Sequence, residues 1–448
     1  MRLAEPAGLA IKYSEKLGVD EVEAFAQSVR TSEVVIERGE IQNERVKTQR
    51  GIGVRVIKKK RLGFAFTSVL SKESIEQMCR NADSLASVSP PNPDWVSLPA
   101  AAKLPKTPLG TFDADTADMK ADDVLKLALK GYEGAKALDK RVAIDEGKFS
   151  VVCGEAAVAN SHGVEAEGRG TLLYGYIICA AKDKSEVSSM TFEYDITRCL
   201  KDFSPERIGR VAAERAVASL GSKAVASFTG TALLDYDVAS DILLQPLAAS
   251  VNADNIQRGR SLWAGKLGEE VASEKLTAAD DGLMPKGIGS SSFDAEGVPS
   301  QKTRVITDGE LVGFLHNSFT ANKEKRHSTG NAFREGYNVP PRISVSNLVV
   351  KVGKKRLDDL IAMVDKGIIV KRFSGNVHPD SGEFSGIAKQ ASYIEKGEVK
   401  YSLKETMISG NSFQALKNII EIGSETRPTM FQAYTPPILV DKINVVSK

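Results

Sequence analysis

The residue types that carry most enzyme chemistry are few in this sequence of 448 residues, and none of them falls into a known catalytic spacing. There are four histidines and four cysteines, and no two cysteines form a C-x-x-C pair. The sequence contains no H-E-x-x-H, no P-loop and no G-x-S-x-G. Residue spacing alone therefore assigns no metal, nucleotide or serine-hydrolase chemistry to the chain.

Two glycine pairs resemble fragments of a dinucleotide-binding fingerprint. They are Gly51-Ile52-Gly53 and Gly287-Ile288-Gly289, and each supplies only two of the glycines that the fingerprint needs. Gly51 also opens a predicted strand at the point where the fingerprint requires a helix. We therefore predict a structural role for both pairs.

The composition is that of an ordinary soluble protein. Apolar residues make up 42% and charged residues 26%, close to the averages for globular chains. Lys and Arg number 60 against 58 Asp and Glu, a net charge of +2, which is too small a field for binding a phosphate backbone. No window approaches the roughly 18 apolar residues of a membrane span. We expect a cytoplasmic protein with no nucleic-acid or membrane partner.

Amphipathic helices and antiparallel hairpins are the elements that would position any site. The turn Arg38-Gly39-Glu40 follows alternating apolar residues and predicts a hairpin. Ser71 is a predicted helix N-cap, and Ser204 with Pro205 starts another helix. Helices are predicted over 6–17, 121–138, 205–220, 236–256, 357–366 and 413–420.

Composition also divides the chain into three parts. Six prolines fall between Ser89 and Phe112, which predicts an extended linker over 89–112. The parts are an N-terminal α+β domain (1–88), a middle helix-sheet-helix domain (113–221) and a β-rich C-terminal domain (222–448). Antiparallel strands without regular strand-helix-strand alternation predict the α+β class, with a large and mostly antiparallel C-terminal domain.

The strongest signal is a set of ordered strings. The central ones read FDAEGVPSQKT at 293–303, DGELVGFLH at 308–316 and STGNAFR at 328–334. Further strings stand at 50–56, 62–65, 381–385, 394–399 and 409–411. Together they resemble the TldD/PmbA family over nearly the whole chain.

That resemblance places a metal site in a helix of the third domain. TldD-type members carry H-E-x-x-x-H there, with two histidines as zinc ligands, a glutamate as base and a later cysteine ligand. Aligned on Leu243-Leu244, the ligand positions hold Gln245 and Ser250 and the base position holds Pro246. No cysteine follows Cys199. The resemblance therefore implies no metal ligand and no catalytic residue in this chain.

A family member without these residues is similar to the PmbA branch, also called TldE. The resemblance implies a non-catalytic subunit of a zinc metallopeptidase complex that acts on unfolded or extended peptides. Zinc is then expected in a TldD-like partner subunit, and this chain needs no cofactor. Equivalent surfaces on the two chains can form a heterodimer and also a weaker homodimer. A peptide can bind such a protein by adding a strand to a sheet edge.

Four polar residues in family strings or loop-like segments are candidates for lining a peptide groove. They are Asn331, Arg334, Asn376 and Glu383. Asn331 and Arg334 belong to STGNAFR, where a scaffold role is an equal alternative, because Asn can hold a loop and Arg can pair with a carboxylate.

Two alternative functions remain open on the sequence. His327 and His378, with a nearby carboxylate, could form a relocated zinc site and make the chain a metallopeptidase by itself. The resemblance also implies an interaction protein that modulates DNA gyrase. The net charge of +2 speaks against direct DNA contact.

Overall fold

In the computed structural model, which describes residues 2–404 and 406–447, the strands before residue 200 form one antiparallel sheet. They are β1 (Glu21–Glu37), β2 (Glu40–Lys58), β3 (Arg61–Thr67), β4 (Val142–Asn160), β5 (Glu165–Asp183), β6 (Glu186–Val187) and β7 (Thr191–Thr197). Their order is β3-β2-β1-β4-β5-β6, with β7 also beside β5. The first and middle parts of the chain thus share a sheet through the β1–β4 pair.

Two-residue turns close the first two hairpins. Arg38 and Gly39 have φ of 50° and 77°, and Lys59 and Lys60 have φ of 51° and 61°. Two successive left-handed residues match the right-handed twist of the strands that they join. The turn predicted at Arg38-Gly39-Glu40 is confirmed.

Helices cover one face of this sheet. They are α1 (Ala4–Lys16), α2 (Lys72–Val88), α3 (Ala114–Asp118), α4 (Ala121–Lys136) and α5 (Pro205–Ala218), with a 3₁₀ turn at Leu200–Asp202. Alternate residues such as Val54 and Leu173 are fully buried beneath them. Helices α4 and α5 pack closely at Gly209, where a Cβ would lie 1.9 Å from the carbonyl oxygen of Gly131. The absence of a side chain at this glycine permits the close approach.

The proline-rich segment 89–112, all of which the structure describes, contains no helix and no strand longer than an isolated bridge. Trp95 and Leu98 are buried against Ile57. The segment therefore packs along the first part of the chain before reaching α3.

Residues beyond 222 build a seven-stranded sheet and a six-stranded sheet. The first contains β8 (Phe228–Leu234), β15 (Lys366–Val377), β16 (Glu383–Glu395), β17 (Glu398–Ser402), β18 (Thr406–Asn411), β19 (Ile419–Ile422) and β22 (Ile438–Ser447). Its order is β15-β8-β22-β18-β16-β17, and β15 also pairs with β16, so five of the strands close a barrel. All of its ladders are antiparallel except β8–β15.

The second sheet, of order β11-β10-β9-β14-β21-β20, contains β9 (Ala278–Asp281), β10 (Lys302–Thr307), β11 (Glu310–Leu311), β14 (Leu348–Val350), β20 (Arg427–Pro428) and β21 (Ala433–Thr435). A separate pair is formed by β12 (Ala332–Phe333) and β13 (Arg342–Ile343). Short helices join these strands: α6 (Tyr236–Ala239), α7 (Gln245–Ser250), α8 (Ala253–Gln257), α9 (Ser318–Lys323), α10 (Leu357–Ala362) and α11 (Ser412–Lys417).

The single helix predicted over 236–256 is wrong. The structure breaks it into α6, a π-helical turn at Ser240–Leu244, α7 and α8. Pro246 has no N–H to continue the α-helical ladder, and Asn252 caps α8 by accepting a 2.9 Å hydrogen bond from the Asp254 N–H. The helices predicted at 357–366 and 413–420 exist but are shorter.

The α+β class, the antiparallel sheets and the strand-rich C-terminal domain are confirmed. The third part lies over the sheet face that the helices leave free, since contacts such as Arg55–Glu296 and Arg334–Glu23 join the two. Among the residues that the structure describes, no helix is long and apolar enough to cross a membrane.

Candidate functional site

Helix α7 carries the three positions that the sequence assigns to a metal and its base. Gln245 is half-buried, and its Nε2 donates a 2.9 Å hydrogen bond to Asp241 Oδ1. With Ala248, Ala249 and Asn252 it lines a cleft of about 650 Å³, called here the helix cleft. Ala248 and Ala249 follow Gln245 by three and four residues and share its face of the helix.

Ser250 and Pro246 do not line the helix cleft with Gln245. Ser250 follows Gln245 by five residues, which is the spacing of the two histidines in H-E-x-x-x-H. Ser250 is 2% exposed, and its carbonyl oxygen accepts a 2.9 Å hydrogen bond from Ser261 Oγ. An amide, a proline and a buried hydroxyl do not fit a zinc site, because none of them supplies an imidazole, thiolate or carboxylate ligand.

A second cavity, the sheet cleft, lies on the face of the sheet that is turned away from its helices. It has a volume of about 720 Å³, and Gly154 and Gly168 are part of its lining. Segments 288–295 and 330–334 form the opposite wall. Ser344 and Val345 line both the sheet cleft and the helix cleft, so the two cavities adjoin.

A third cavity of about 440 Å³, the aromatic pocket, lies between β5, β7 and the third domain. Phe431 lines both this pocket and the helix cleft, while Gln432 lines the sheet cleft. The turn that carries them joins β20 to β21, and Gln432 has a left-handed φ of 59°. One strained turn therefore touches all three cavities.

Asn331 holds the wall of the sheet cleft in place. Its Nδ2 donates to Asp280 Oδ2 at 2.7 Å and to the Ser344 carbonyl at 3.0 Å, and its Oδ1 accepts from Thr329 Oγ1 at 2.6 Å. Burial raises the pKa of Asp280 to about 6, although the hydrogen bond from Asn331 opposes this. Because its whole amide is engaged, Asn331 serves as scaffold beside the cleft.

Arg334 belongs to a buried ion network that joins the first and third parts of the chain. The network consists of Glu23, Arg55, Glu296 and Arg334, and each member is at most 5% exposed. Arg334 donates to Glu23 and to the Val339 carbonyl, at 2.9 Å for the latter. Arg55 lies 2.9 Å from both Glu23 and Glu296.

Two guanidinium groups and two carboxylates balance the charge of this ion network. Burial raises the pKa of Glu296, but the Arg55 charge and the hydrogen bonds from Ser318 and Arg55 together outweigh burial and leave this pKa below its ordinary value. Burial lowers the pKa of Arg334. Arg334 also lines the sheet cleft, so it is a structural residue whose side chain forms part of a cavity wall.

Comparison with known proteins agrees with this architecture. The chain matches the PmbA/TldA metallopeptidase C-terminal domain over residues 228–447, its central domain over 114–220 and its domain 1 over 22–86. The chain belongs to the TldD/PmbA family.

Individual relatives span almost the same length as this TldD/PmbA chain. The crystal structure of TldE from Thermococcus kodakarensis is 26% identical, has a TM-score of 0.91, and the match covers 98% of this chain and 100% of that one. A Thermotoga maritima structure, described as a candidate modulator of a DNA gyrase, is 26% identical with a TM-score of 0.89 and 99% coverage of each chain. Metalloprotease PmbA of Escherichia coli O157:H7 is 24% identical over 396 residues, 86% of this chain and 84% of its own.

The remaining groove candidates lie outside the three cavities. Asn376, near the end of β15, and Glu383, the first residue of β16, are both exposed. His378 lies between them, and its N–H donates to the Glu383 carbonyl at 2.8 Å. The structure brings these residues to one end of the barrel, away from Asn331 and Arg334 in the wall of the sheet cleft.

His327 and His378 are both exposed. Within the described ranges 2–404 and 406–447, no group of three or more His, Cys, Asp or Glu side chains could hold a metal ion. The relocated zinc site that the sequence left open thus has no ligand set among the described residues.

The two glycine pairs, at 51–53 and 287–289, permit close packing. A Cβ on Gly51 would lie 2.3 Å from the ring of Tyr337, and one on Gly53 would lie 2.1 Å from the Tyr337 carbonyl oxygen. A Cβ on Gly289 would lie 2.0 Å from the Ser346 carbonyl oxygen. Both pairs are structural, as predicted.

Sequence reasoning missed Glu23 and Glu296. Glu296 lies in the FDAEGVPSQKT string, which was a usable signal. Glu23 stands between the buried residues Val22 and Ala24. A polar residue at such a position in an alternating strand is expected to face solvent, so the sequence did not indicate that it is buried.

Proposed function

We propose that this chain is the metal-free, PmbA/TldE-type subunit of a TldD/PmbA zinc metallopeptidase that acts on unfolded or extended peptides. The observation that carries the proposal is the set Gln245, Pro246 and Ser250 at the positions of the family's H-E-x-x-x-H. The hydrolytic centre then lies in a TldD-like partner, which supplies zinc and the glutamate base.

The local chemistry supports a non-catalytic role for α7. Pro246 cannot accept a proton from water, and the Gln245 amide is engaged by Asp241. Restoring a metal site would require new ligands at positions 245 and 250, and position 250 is buried.

The cavities support a peptide as the substrate class. The helix cleft, sheet cleft and aromatic pocket adjoin one another through Ser344, Val345 and Phe431. Their volumes of about 650, 720 and 440 Å³ are each within the usual range for ligand sites. A connected series of such cavities suits an extended chain better than a compact small molecule.

The two alternatives have less support. A self-sufficient metallopeptidase needs a ligand set, and His327 and His378 are exposed on separate segments. A gyrase modulator needs a gyrase-binding surface. The description of the Thermotoga maritima neighbour suggests that role, but no surface of this chain argues for it independently.

Co-expression with a TldD-type subunit that carries H-E-x-x-x-H tests the proposal. We expect a stable heterodimer, measured by size-exclusion chromatography with light scattering, that contains one zinc ion per pair. Replacing the partner's motif glutamate should abolish peptide hydrolysis by the complex. Gln245→Ala and Ser250→Ala serve as matched controls and should leave hydrolysis largely intact. Failure of the chains to associate at micromolar concentration would refute the heterodimer.

A further inference from the structure

The aromatic pocket has a chemical character that the proposed peptidase role does not explain. Its sheet side is a cluster of four rings, two from β5 and two from β7: Tyr174, Tyr176, Phe192 and Tyr194. Neighbouring ring centroids are 5.5–6.3 Å apart. Such a surface favours a flat or large apolar group.

Two of the four cations that line the pocket already have carboxylate partners. Arg215 lies 2.5 Å from Glu193, and Arg427 lies 3.0 Å from Glu193 and 2.7 Å from Asp237. Burial raises the pKa of Glu193, but the charges of Arg215, Arg427 and Arg207 together outweigh burial and hold this pKa below its ordinary value. These groups form a closed structural cluster at the base of the pocket.

Lys371 and Arg372 differ from those two cations. Among the described residues, no carboxylate oxygen lies within 4.0 Å of either side-chain cation. The Arg372 guanidinium lies 4.8 Å from the centroid of the Phe192 ring, over the aromatic cluster. Burial, and then the charge of Arg215, lower the pKa of Lys371. Two adjacent half-buried cations without an anion thus stand at the wall of the cavity.

The β15–β16 ladder is interrupted at Lys371. The β15–β16 ladder pairs Val370 with Ala391 and Arg372 with Lys389, and omits the pair Lys371–Gln390. Gln390 has a left-handed φ of 52°, which is unusual for a non-glycine residue inside a strand. Local strain of this kind often marks a functional position.

The acidic residues that line the pocket do not pair with Lys371 or Arg372. Asp237 is held by Arg427 and accepts the Tyr194 hydroxyl, while Glu146 accepts the Tyr176 hydroxyl. Asp241 accepts the amide of Gln245. Glu193, which pairs with Arg215 and Arg427, brings the carboxylates of the pocket region to four against four cations. Among the described residues that line the pocket, Lys371 and Arg372 are thus the cations that no carboxylate approaches within 4.0 Å.

We propose that the aromatic pocket binds an organic carboxylate that carries an aromatic or large apolar group. The carboxylate pairs with Lys371 and Arg372, and the apolar group packs on Tyr174, Tyr176 and Phe192. The C-terminal residue of a peptide and a free aromatic amino acid both offer this chemistry. The site belongs to this chain alone, so its failure would leave the heterodimer proposal untouched.

Ligand-observed NMR titration of the full-length chain tests the pocket with three probes: N-acetylphenylalanine, its amide, and free phenylalanine. We expect saturable binding of N-acetylphenylalanine, and at least tenfold weaker binding of the amide, because the amide lacks the charge that the two cations recognise. Weaker binding of free phenylalanine than of the N-acetyl compound would assign the site to peptide C-termini. Equal or tighter binding would assign it to free aromatic acids.

Substitutions locate the binding site. Lys371→Met and Arg372→Met should each weaken binding of N-acetylphenylalanine at least tenfold. Lys366→Met is the matched control, because Lys366 is an exposed lysine on the same strand whose ammonium lies over Phe228, outside the pocket. Two results with the unmodified chain would overturn the proposal. One is equal affinity for N-acetylphenylalanine and its amide, and the other is the absence of saturable binding at millimolar concentration.

Discussion

Removal of the Arg334 side chain should destabilise the contact between the first and third parts of the chain. The guanidinium is 1% exposed, pairs with Glu23, donates to the Val339 carbonyl and lies 5.2 Å from the centroid of Phe25. In Arg334→Ala, Glu23 stays buried with Arg55 as its only charged partner, and the Val339 carbonyl loses its donor.

The size of the effect follows from that burial. Removing one partner of a buried ion pair costs about 3–5 kcal/mol. Because Glu23 keeps Arg55 at 2.9 Å, we expect the lower end, about 3 kcal/mol, which is roughly a hundredfold in the unfolding equilibrium. With a urea m-value of about 3 kcal/mol/M, the unfolding midpoint should fall by about 1 M.

Arg342→Ala is the matched control. Arg342 lies near Arg334 in sequence and also pairs with a glutamate, Glu335, but both side chains are more than 60% exposed. Exposed pairs contribute about 0–1 kcal/mol. Urea unfolding is followed by the fluorescence of Trp95, which is buried and lies under Arg55, in a Trp263→Phe background. Equal midpoints for the two variants would refute the assignment of Arg334 as an interdomain scaffold residue.

Three further predictions concern metal, pH and packing. The purified chain should contain no stoichiometric zinc by elemental analysis after dialysis; about one zinc per chain would redirect attention to His327 and His378. Burial, and then the charge of Asp237, raise the pKa of Asp241 from 3.8 to about 6, so its carboxyl stabilises the fold below pH 3.8 and that contribution is lost as the pH rises through 6. Asp241→Asn should therefore be more stable than the parent by about 3 kcal/mol at pH 8 in urea unfolding, with the gain vanishing in acid; a pH-independent difference would contradict this. Gly209→Ala should lower the free energy of unfolding by about 2 kcal/mol or more, because α4 blocks the added Cβ. Gly8→Ala, in open space on α1, should raise it by about 0.5–1 kcal/mol. Thermal unfolding of the two variants tests this, and equal melting temperatures would contradict it.

Local signals were sufficient for most of the secondary structure. The Ser71 side chain accepts a 3.3 Å hydrogen bond from the Ser74 N–H and starts α2, as predicted. Pro205 begins α5. Hairpin turns, caps and alternation are set by neighbouring residues, so a single sequence contains the information that fixes them.

The interior of the protein could not be predicted in this way. Glu23 and Arg334 are 311 residues apart in the chain, and no local rule brings them together. Alternation assigns Glu23 and Arg55 to the sheet face without helices, which would be solvent-exposed in a two-layer domain. The third part covers that face, and its loops supply Glu296 and Arg334 to complete the ion network.

The degenerate motif was predictable as a set of residues, but its geometry was not. The substitution of ligands by Gln245 and Ser250 is visible in the sequence. The short helix that carries them was not predicted, because α7 begins after a π-helical turn that the periodicity of 236–256 does not indicate. The three adjoining cavities depend on contacts between distant segments and had no sequence signal.

The most direct test of the account is a titration of peptidase activity. A fixed amount of a TldD-type subunit is mixed with increasing amounts of this chain, and hydrolysis of an unfolded peptide is measured with and without a chelator. We predict background hydrolysis for each chain alone, a rise that saturates at one copy of this chain per TldD-type subunit, and complete loss with chelator. Chelator-sensitive hydrolysis by this chain alone, or TldD-type activity that does not respond to its addition, would contradict the assignment of this chain as the metal-free subunit.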